Sequence, residues 1–121
     1  MPYLGQLPTA MFTDRQIRAK DFTKWSHAHS RFARGRDRAT VDAYKAEIAA
    51  GGLRTLIWLD VSERTGEVLI GDGHHRAVAL LESGVDSFAF HWRVAEKAGW
   101  LSQPPLEQGP FPYHLLGLGV A

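Results

Sequence analysis

Six consecutive residues, Gly71-Asp72-Gly73-His74-His75-Arg76, bring together two glycines, a carboxylate, two imidazoles and a guanidinium. With Val68-Leu69-Ile70 before them and Ala77-Val78-Ala79-Leu80-Leu81 after, they read as a strand end, a tight turn and the first turn of an apolar helix. The amino end of a helix carries partial positive charge and unpaired N–H groups, so cationic side chains there are unfavourable unless something offsets them. An anion seated on the turn removes the conflict. Gly71 and Gly73 would let it approach the backbone, Arg76 would grip two of its oxygens, and His74 and His75 would each donate a hydrogen bond or move a proton. Asp72 is the odd member, because a carboxylate beside an anion is repelled unless a cation lies between them. It would hold Mg²⁺, orient a histidine or act as a base; in the plainer reading it caps the helix and a histidine faces solvent.

Other chemistry-bearing residues are more scattered. Arg31, Arg34, Arg36 and Arg38 surround Gly35 in R31-F-A-R-G-R-D-R38, where they would reach a triphosphate tail or a nucleic-acid backbone, or form a solvated loop. Within that group Arg36 is expected to join the phosphate site. His27 and His29 stand two apart in S26-H-A-H-S30, a spacing that chelates a metal from a strand or loop, although nothing in the sequence brings them to His74 and His75. A catalytic carboxylate is sought among Asp14, Asp21 and Asp37, with no basis for choosing; Glu47 is expected to face solvent.

The composition limits what this chemistry can be. A chain of 121 residues, 45% hydrophobic and 22% charged, fits one globular domain with a single core. Cysteine is absent, which removes disulfides, thiolate metal sites and cysteine nucleophiles together. With no run of eighteen apolar residues and no basic-then-apolar leader at Met1-Pro2-Tyr3-Leu4, a cytoplasmic protein without a membrane span is expected. Net charge is +1, yet residues 15–45 hold nine Lys/Arg against Asp21, Asp37 and Asp42, so this segment is net +6 and the remainder net −5. Such asymmetry suits a face for a phosphate-bearing partner, or a solvated basic helix.

The elements that must position these groups follow from pattern. Residues 1–14, broken by Pro2, Gly5 and Pro8, read as an extended arm, and 15–34 as partly helical, anchored by Phe22, Trp25 and Phe32. Thr40 is a plausible N-cap for a helix with Val41, Tyr44 and Ile48 on one face, stopped by Gly51-Gly52. L53-R-T-L-I-W-L-D60 reads as a buried strand, and the turn S62-E-R-T-G-E67 makes Val68–Ile70 antiparallel to it. A buried helix over 74–83 then leads to S87-F-A-F-H-W-R-V94, an alternating strand expected to lie parallel to 68–70 through that crossover. Residues 95–100 are read as a helical turn, 103–112 as irregular, and the apolar 114–121 as packing on its own or another chain. Trp58, Trp92 and Trp100 are assigned to core or edge, and Trp25 is left open. The organisation expected is one domain, with residues 1–39 as arm and basic segment, 40–94 as core and 95–121 as a carboxyl-terminal extension.

The stretch L56-I-W-L-D-V-S-E-R-T-G-E-V-L-I-G-D-G-H-H-R-A-V-A-L-L-E-S-G-V85 resembles the ParB/sulfiredoxin superfamily, over about residues 40–94 and most of all in G73-H-H-R76. The resemblance implies an α+β fold, a small mixed sheet with flanking helices, and a box at Gly73, His74, His75 and Arg76 that binds nucleotide phosphates. ATP, ADP or CTP is then the expected ligand, with Mg²⁺ as its companion. Sulfiredoxins carry a catalytic cysteine in the box and this chain has none, so that activity is not expected. Only 27 residues follow Val94, too few for the downstream helix-turn-helix domain of chromosome-partitioning ParB proteins. D72-G-H-H-R76 is most similar to the box of the free-serine kinases, which move phosphate from a nucleotide to a small hydroxyl substrate. Three functions stay open: phosphoryl transfer or nucleotide hydrolysis with Asp72, His74 and His75 as catalytic groups; a DNA-binding or nicking module using Arg31, Arg34, Arg36 and Arg38; and a non-catalytic partner protein able to form a homo-oligomer.

Overall fold

A computed structural model describes residues 3–62, 64–94 and 111–117. Five strands form one mixed sheet: β1 (Tyr3–Pro8), β2 (Ile17–Arg18), β3 (Ile57–Val61), β4 (Val68–Asp72) and β5 (Ser87–Val94), in the spatial order β1-β5-β3-β4-β2. Three α-helices accompany it: α1 (Trp25–Arg31), α2 (Gly35–Ala49) and α3 (His74–Glu82). The α+β class and the mixed sheet are as the sequence indicates.

One face of the sheet is the core. Alternation along β3, β4 and β5 puts Ile57, Leu59, Val61, Val68, Ile70, Phe88, Phe90 and Trp92 on it, all buried, and α3 covers them with Ala77, Val78, Ala79 and Leu80. Because α3 is apolar on most of its circumference, its other side needs cover as well, and α2 supplies it with Val41. Trp25 closes the core beyond β2, its indole N–H donating to the Ile17 carbonyl at 2.8 Å. Burying a tryptophan without that bond would leave a donor unsatisfied.

The structure departs from the pattern-based expectations in four places. Residues 3–8 are more than an extended arm: β1 pairs antiparallel with β5, Leu7 opposite Phe88, and burial alternates with Leu7 inside and Gln6 outside. Pro8 is tolerated because it ends the strand, where its missing N–H costs no ladder bond. Residues 35–38 are not loop, because α2 begins at Gly35 and not at Thr40. Arg34 is extended (φ −154°), Asp37 answers the dipole from the first turn, and the Thr40 hydroxyl donates back to the Arg36 carbonyl at 2.9 Å, inside the helix. β3 starts at Ile57, not Leu53. Finally, β5 lies parallel to β3, with Leu59 opposite Trp92, and therefore runs opposite to β4. β2 already pairs along the outer side of β4 at Val68 and Leu69, whereas β3, apolar but for Asp60, takes β5 along its second side.

The chain returns to the sheet at its far end. Phe111 packs edge-on against Phe90 and Trp92, at 5.0 and 5.4 Å between ring centres, and Leu116 is buried in the following short 3-10 turn. That part of the apolar carboxyl-terminal stretch packs on its own chain. The expected helical turn at 95–100, Trp100, most of the irregular 103–112 and the last four residues lie outside the described residues.

Candidate functional site

The six-residue box splits between two elements. Gly71 and Asp72 still belong to β4, and the turn into α3 is Gly73 alone, in a left-handed conformation (φ 118°) that other residues avoid. A side chain there would also crowd Ile57, whose Cγ1 would stand 3.0 Å from the added carbon. Gly71 serves a different purpose from ligand approach. The place of its missing side chain is filled by the buried carboxylate of Asp60, which accepts from Lys20 Nζ at 3.1 Å and from Arg93 Nε at 2.7 Å. An Asp in an otherwise apolar strand was the available signal that something polar had to meet it there, but only the fold names Lys20 and Arg93.

No side chain caps α3, so Asp72 is not a helix cap. It is two-thirds exposed, with Oδ2 3.8 Å from Arg76 Nη1. The first turn of α3, the carboxyl end of α1, the start of α2 and the Asp21-Phe22 segment enclose a cleft of about 480 Å³, in the size range of small-ligand sites.

The three basic side chains of the box diverge inside it. His74 is buried against Phe22 and Trp25, and its Nε2 accepts the backbone N–H of Lys20 at 2.9 Å and of Asp21 at 3.4 Å. Burial holds its pKa below the ordinary imidazole value, with Asp21 partly opposing. The neutral ring thus fastens one wall of the cleft to α3, and that nitrogen is not free for a ligand. His75 faces the other way. Its Nε2 lies 2.9 Å from Asp37 Oδ1, and its ring stacks on Phe32 at 4.1 Å and 11°. This bond, more than that from Arg31, keeps the Asp37 carboxyl below its usual pKa. Arg76 runs along the floor beneath Tyr44, with its guanidinium 5.1 Å from the ring centre. Only 13% of its side chain is exposed, and its Nε has no hydrogen-bond partner among the described residues.

The basic segment is likewise divided. Arg38 is taken by Glu82, through 2.8 and 3.2 Å bonds, and by Asp42; Arg31 bonds Asp37 at 3.3 Å. Arg34 and Arg36 remain exposed at the start of α2, near the cleft, and no ion pair joins either of them among the described residues. Of the carboxylates left open by the sequence, Asp14 accepts the Trp25 N–H at 2.6 Å and so holds α1, while Asp21 and Asp37 line the cleft. Glu47 accepts the Arg54 N–H and closes the loop after α2. His27 and His29 ride on α1, His29 against the Trp25 ring, and no group of three or more metal-ligating side chains is assembled among the described residues. Phe22, Phe32 and Tyr44, which line the cleft, look in the sequence like ordinary core residues.

No protein-family model and no curated protein matches the sequence. Solved structures do. A sulfiredoxin from Arabidopsis thaliana superposes with a TM-score of 0.57 at 21% identity, covering 80% of this chain and 91% of that one. A C-terminally truncated chromosome-partitioning protein ParB from Caulobacter crescentus, complexed with CTP-γ-S, superposes with a TM-score of 0.55 at 18% identity over 82% of this chain. The match covers 48% of the ParB chain, so this protein spans about half of it. The fold is of the ParB/sulfiredoxin type, and no helix among the described residues is long and apolar enough to cross a membrane.

Proposed function

We propose that the cleft at the start of α3 binds the phosphates of a nucleotide, ATP, ADP or CTP, and that the bound nucleotide undergoes hydrolysis or phosphoryl transfer. The observation that carries this is Arg76: a mostly buried guanidinium with an unpartnered Nε, at the amino end of an uncapped helix, in an open cleft. Burying a cation beside the positive end of a helix dipole is costly unless an anion completes the arrangement, and a phosphate accepts from the guanidinium fork and the free N–H groups together. The CTP-γ-S bound to the ParB of like fold supports the same choice of ligand.

In this reading Gly73 opens the backbone to the phosphate, Arg76 holds its oxygens, and Arg36 meets the outer part of the tail. His74 keeps the wall of the cleft in place. Asp72, two-thirds exposed and 3.8 Å from Arg76, is the carboxylate suited to Mg²⁺ carried in with the nucleotide, since Mg²⁺ needs only one or two protein carboxylates besides phosphate oxygens. The metal would supply neutralising charge on the phosphates.

Titrating the protein with ATP, ADP and CTP, with and without Mg²⁺, tests the proposal by thermal unfolding. A ligand specific for the folded state at a hundred times its Kd adds about 2.7 kcal/mol of stability. The reading fails if no nucleotide raises the melting temperature. The DNA-binding alternative is weaker here, because Arg31 and Arg38 are engaged within the chain and only Arg34 and Arg36 are left to meet a backbone. DNA binding with a steep salt dependence would revive it.

A further inference from the structure

We infer that Asp37 and His75 form a proton-accepting dyad that activates water for attack on the nucleotide's terminal phosphate, so that the protein is a nucleoside triphosphatase. The inference rests on the phosphate reading of the same cleft and adds to it the group that removes the proton.

The geometry fixes the ring in three ways. A carboxylate can only accept, so His75 Nε2, 2.9 Å from Asp37 Oδ1, carries a proton. Phe32, stacked at 4.1 Å and nearly parallel, sets the plane of the imidazole. Both partners sit in the first turns of helices, Asp37 in α2 and His75 in α3, so neither backbone is loose. With the proton on Nε2, the lone pair of the neutral ring is on Nδ1. That atom has no protein partner among the described residues, nor is it one of the buried unpartnered atoms, so it is open to solvent. His75 and Asp37 line the same cleft as Gly73 and Arg76. A base oriented by a carboxylate, next to the cation that holds the substrate, is the arrangement that general-base catalysis requires.

The step balances without a further reactant. Water gives a proton to Nδ1 as its oxygen bonds the terminal phosphorus. The bond from that phosphorus to the bridging oxygen breaks, and the bridging oxygen leaves with the electron pair as nucleoside diphosphate. Inorganic phosphate is the other product, and the proton on Nδ1 passes to solvent.

The charged and titratable groups around the ring are Asp37 on α2, Arg31 of α1 bonded to Asp37, His74 and Arg76 on α3, and Asp21 and Asp72 at the cleft wall. A pair serving only to tie α2 to α3 would affect stability and leave no mark on turnover at saturating nucleotide.

The experiment measures phosphate release from ATP and CTP, with Mg²⁺, by the full chain between pH 5 and 9, alongside nucleotide affinity at each pH. The expected wild-type profile falls on the acid side, as general-base catalysis requires, while nucleotide stays bound. His75→Gln should lower kcat by about 10²–10⁴-fold with Kd changed less than about threefold, the range general bases contribute. Asp37→Asn should lower kcat less and move the acid limb. If either variant folds poorly, the wild-type profile alone decides. Bound nucleotide with no phosphate release, release without an acid limb, or His75→Gln turning over at the wild-type rate overturns the dyad and leaves the binding site standing. Failure of every nucleotide to bind overturns both.

Discussion

The two ends of α3 carry their charges the wrong way round, and they are treated differently. A helix favours acids at its start and bases at its end, yet α3 opens on His74, His75 and Arg76 and closes on Glu82. At the closing end the fault is repaired within the chain. Arg38 and Lys45 of α2 both bond Glu82, and the bond from Arg38 chiefly keeps the Glu82 carboxyl below its usual pKa. At the opening end the repair stops short: Asp37 of α2 meets His75, His74 is held neutral by burial, and the carboxylate paired with Arg76 among the described residues, that of Asp72, stands 3.8 Å away. The same neighbouring helix meets both ends, but among the described residues it offers Arg76 the face of Tyr44 and no carboxylate. One end is a finished structural contact, and the other leaves a mostly buried cation with a single carboxylate 3.8 Å away.

The comparison is broken most directly at Arg76. Arg76→Gln keeps much of the stem but removes the charged fork, and should weaken the best-binding nucleotide by about 1.5–3 kcal/mol, the worth of hydrogen bonds to a charged group. Arg38→Ala, at the finished end, should leave nucleotide affinity unchanged. Calorimetric titration of both variants checks this, and equal losses would mean that the two ends do not differ.

A middle-sized effect is expected from His74, on stability. Its pKa is lowered in the folded protein, so between that value and the ordinary 6.5 the unfolded chain binds more protons. Stability from this group is therefore fully present above about pH 6.5 and is lost as the pH falls toward the folded pKa. Protonating Nε2 also ends its acceptance from Lys20 and Asp21. Thermal unfolding from pH 7.5 to 5 should show a falling melting temperature, with a shallower fall in His74→Gln. A slope that the variant keeps in full would assign it to other groups.

The smallest effect belongs to Glu82. It sits in a partly exposed network with Arg38 and Lys45, and such pairs contribute about 1 kcal/mol or less. Glu82→Gln should lower stability in denaturant by no more than that, less at high salt, with nucleotide binding intact.

The legible parts of this molecule are those where neighbours in sequence are neighbours in space. The apolar run of β3, the hairpin to β4 and the apolar helix α3 are local, and their periodicity survives into the fold. The parts that were not legible depend on distant partners. β1 is a strand only because β5 offers an edge to Leu7 and its neighbours; by itself a segment broken by Pro2, Gly5 and Pro8 has no reason to be one. The first turn of α2 has no apolar residue to mark it, and β5 lies along β3 while β2, two residues long and invisible to pattern, holds the outer side of β4.

The sequence by itself determined that a glycine turn sets cationic side chains at the amino end of an apolar helix. The glycines, the cationic cluster and the apolar helix behind them are a local conflict of charge and dipole, and that conflict is present before the chain folds. Tertiary structure decided what each member of the cluster does. Burial took His74 out of play by turning its ring onto the backbone of Lys20 and Asp21, α2 brought Asp37 to His75 across 38 residues, and Asp60 claimed the space beside Gly71. Arg76 was left with the Tyr44 ring and, 3.8 Å away, the carboxylate of Asp72. Such assignments rest on contacts between residues far apart in the chain, which no spacing rule encodes.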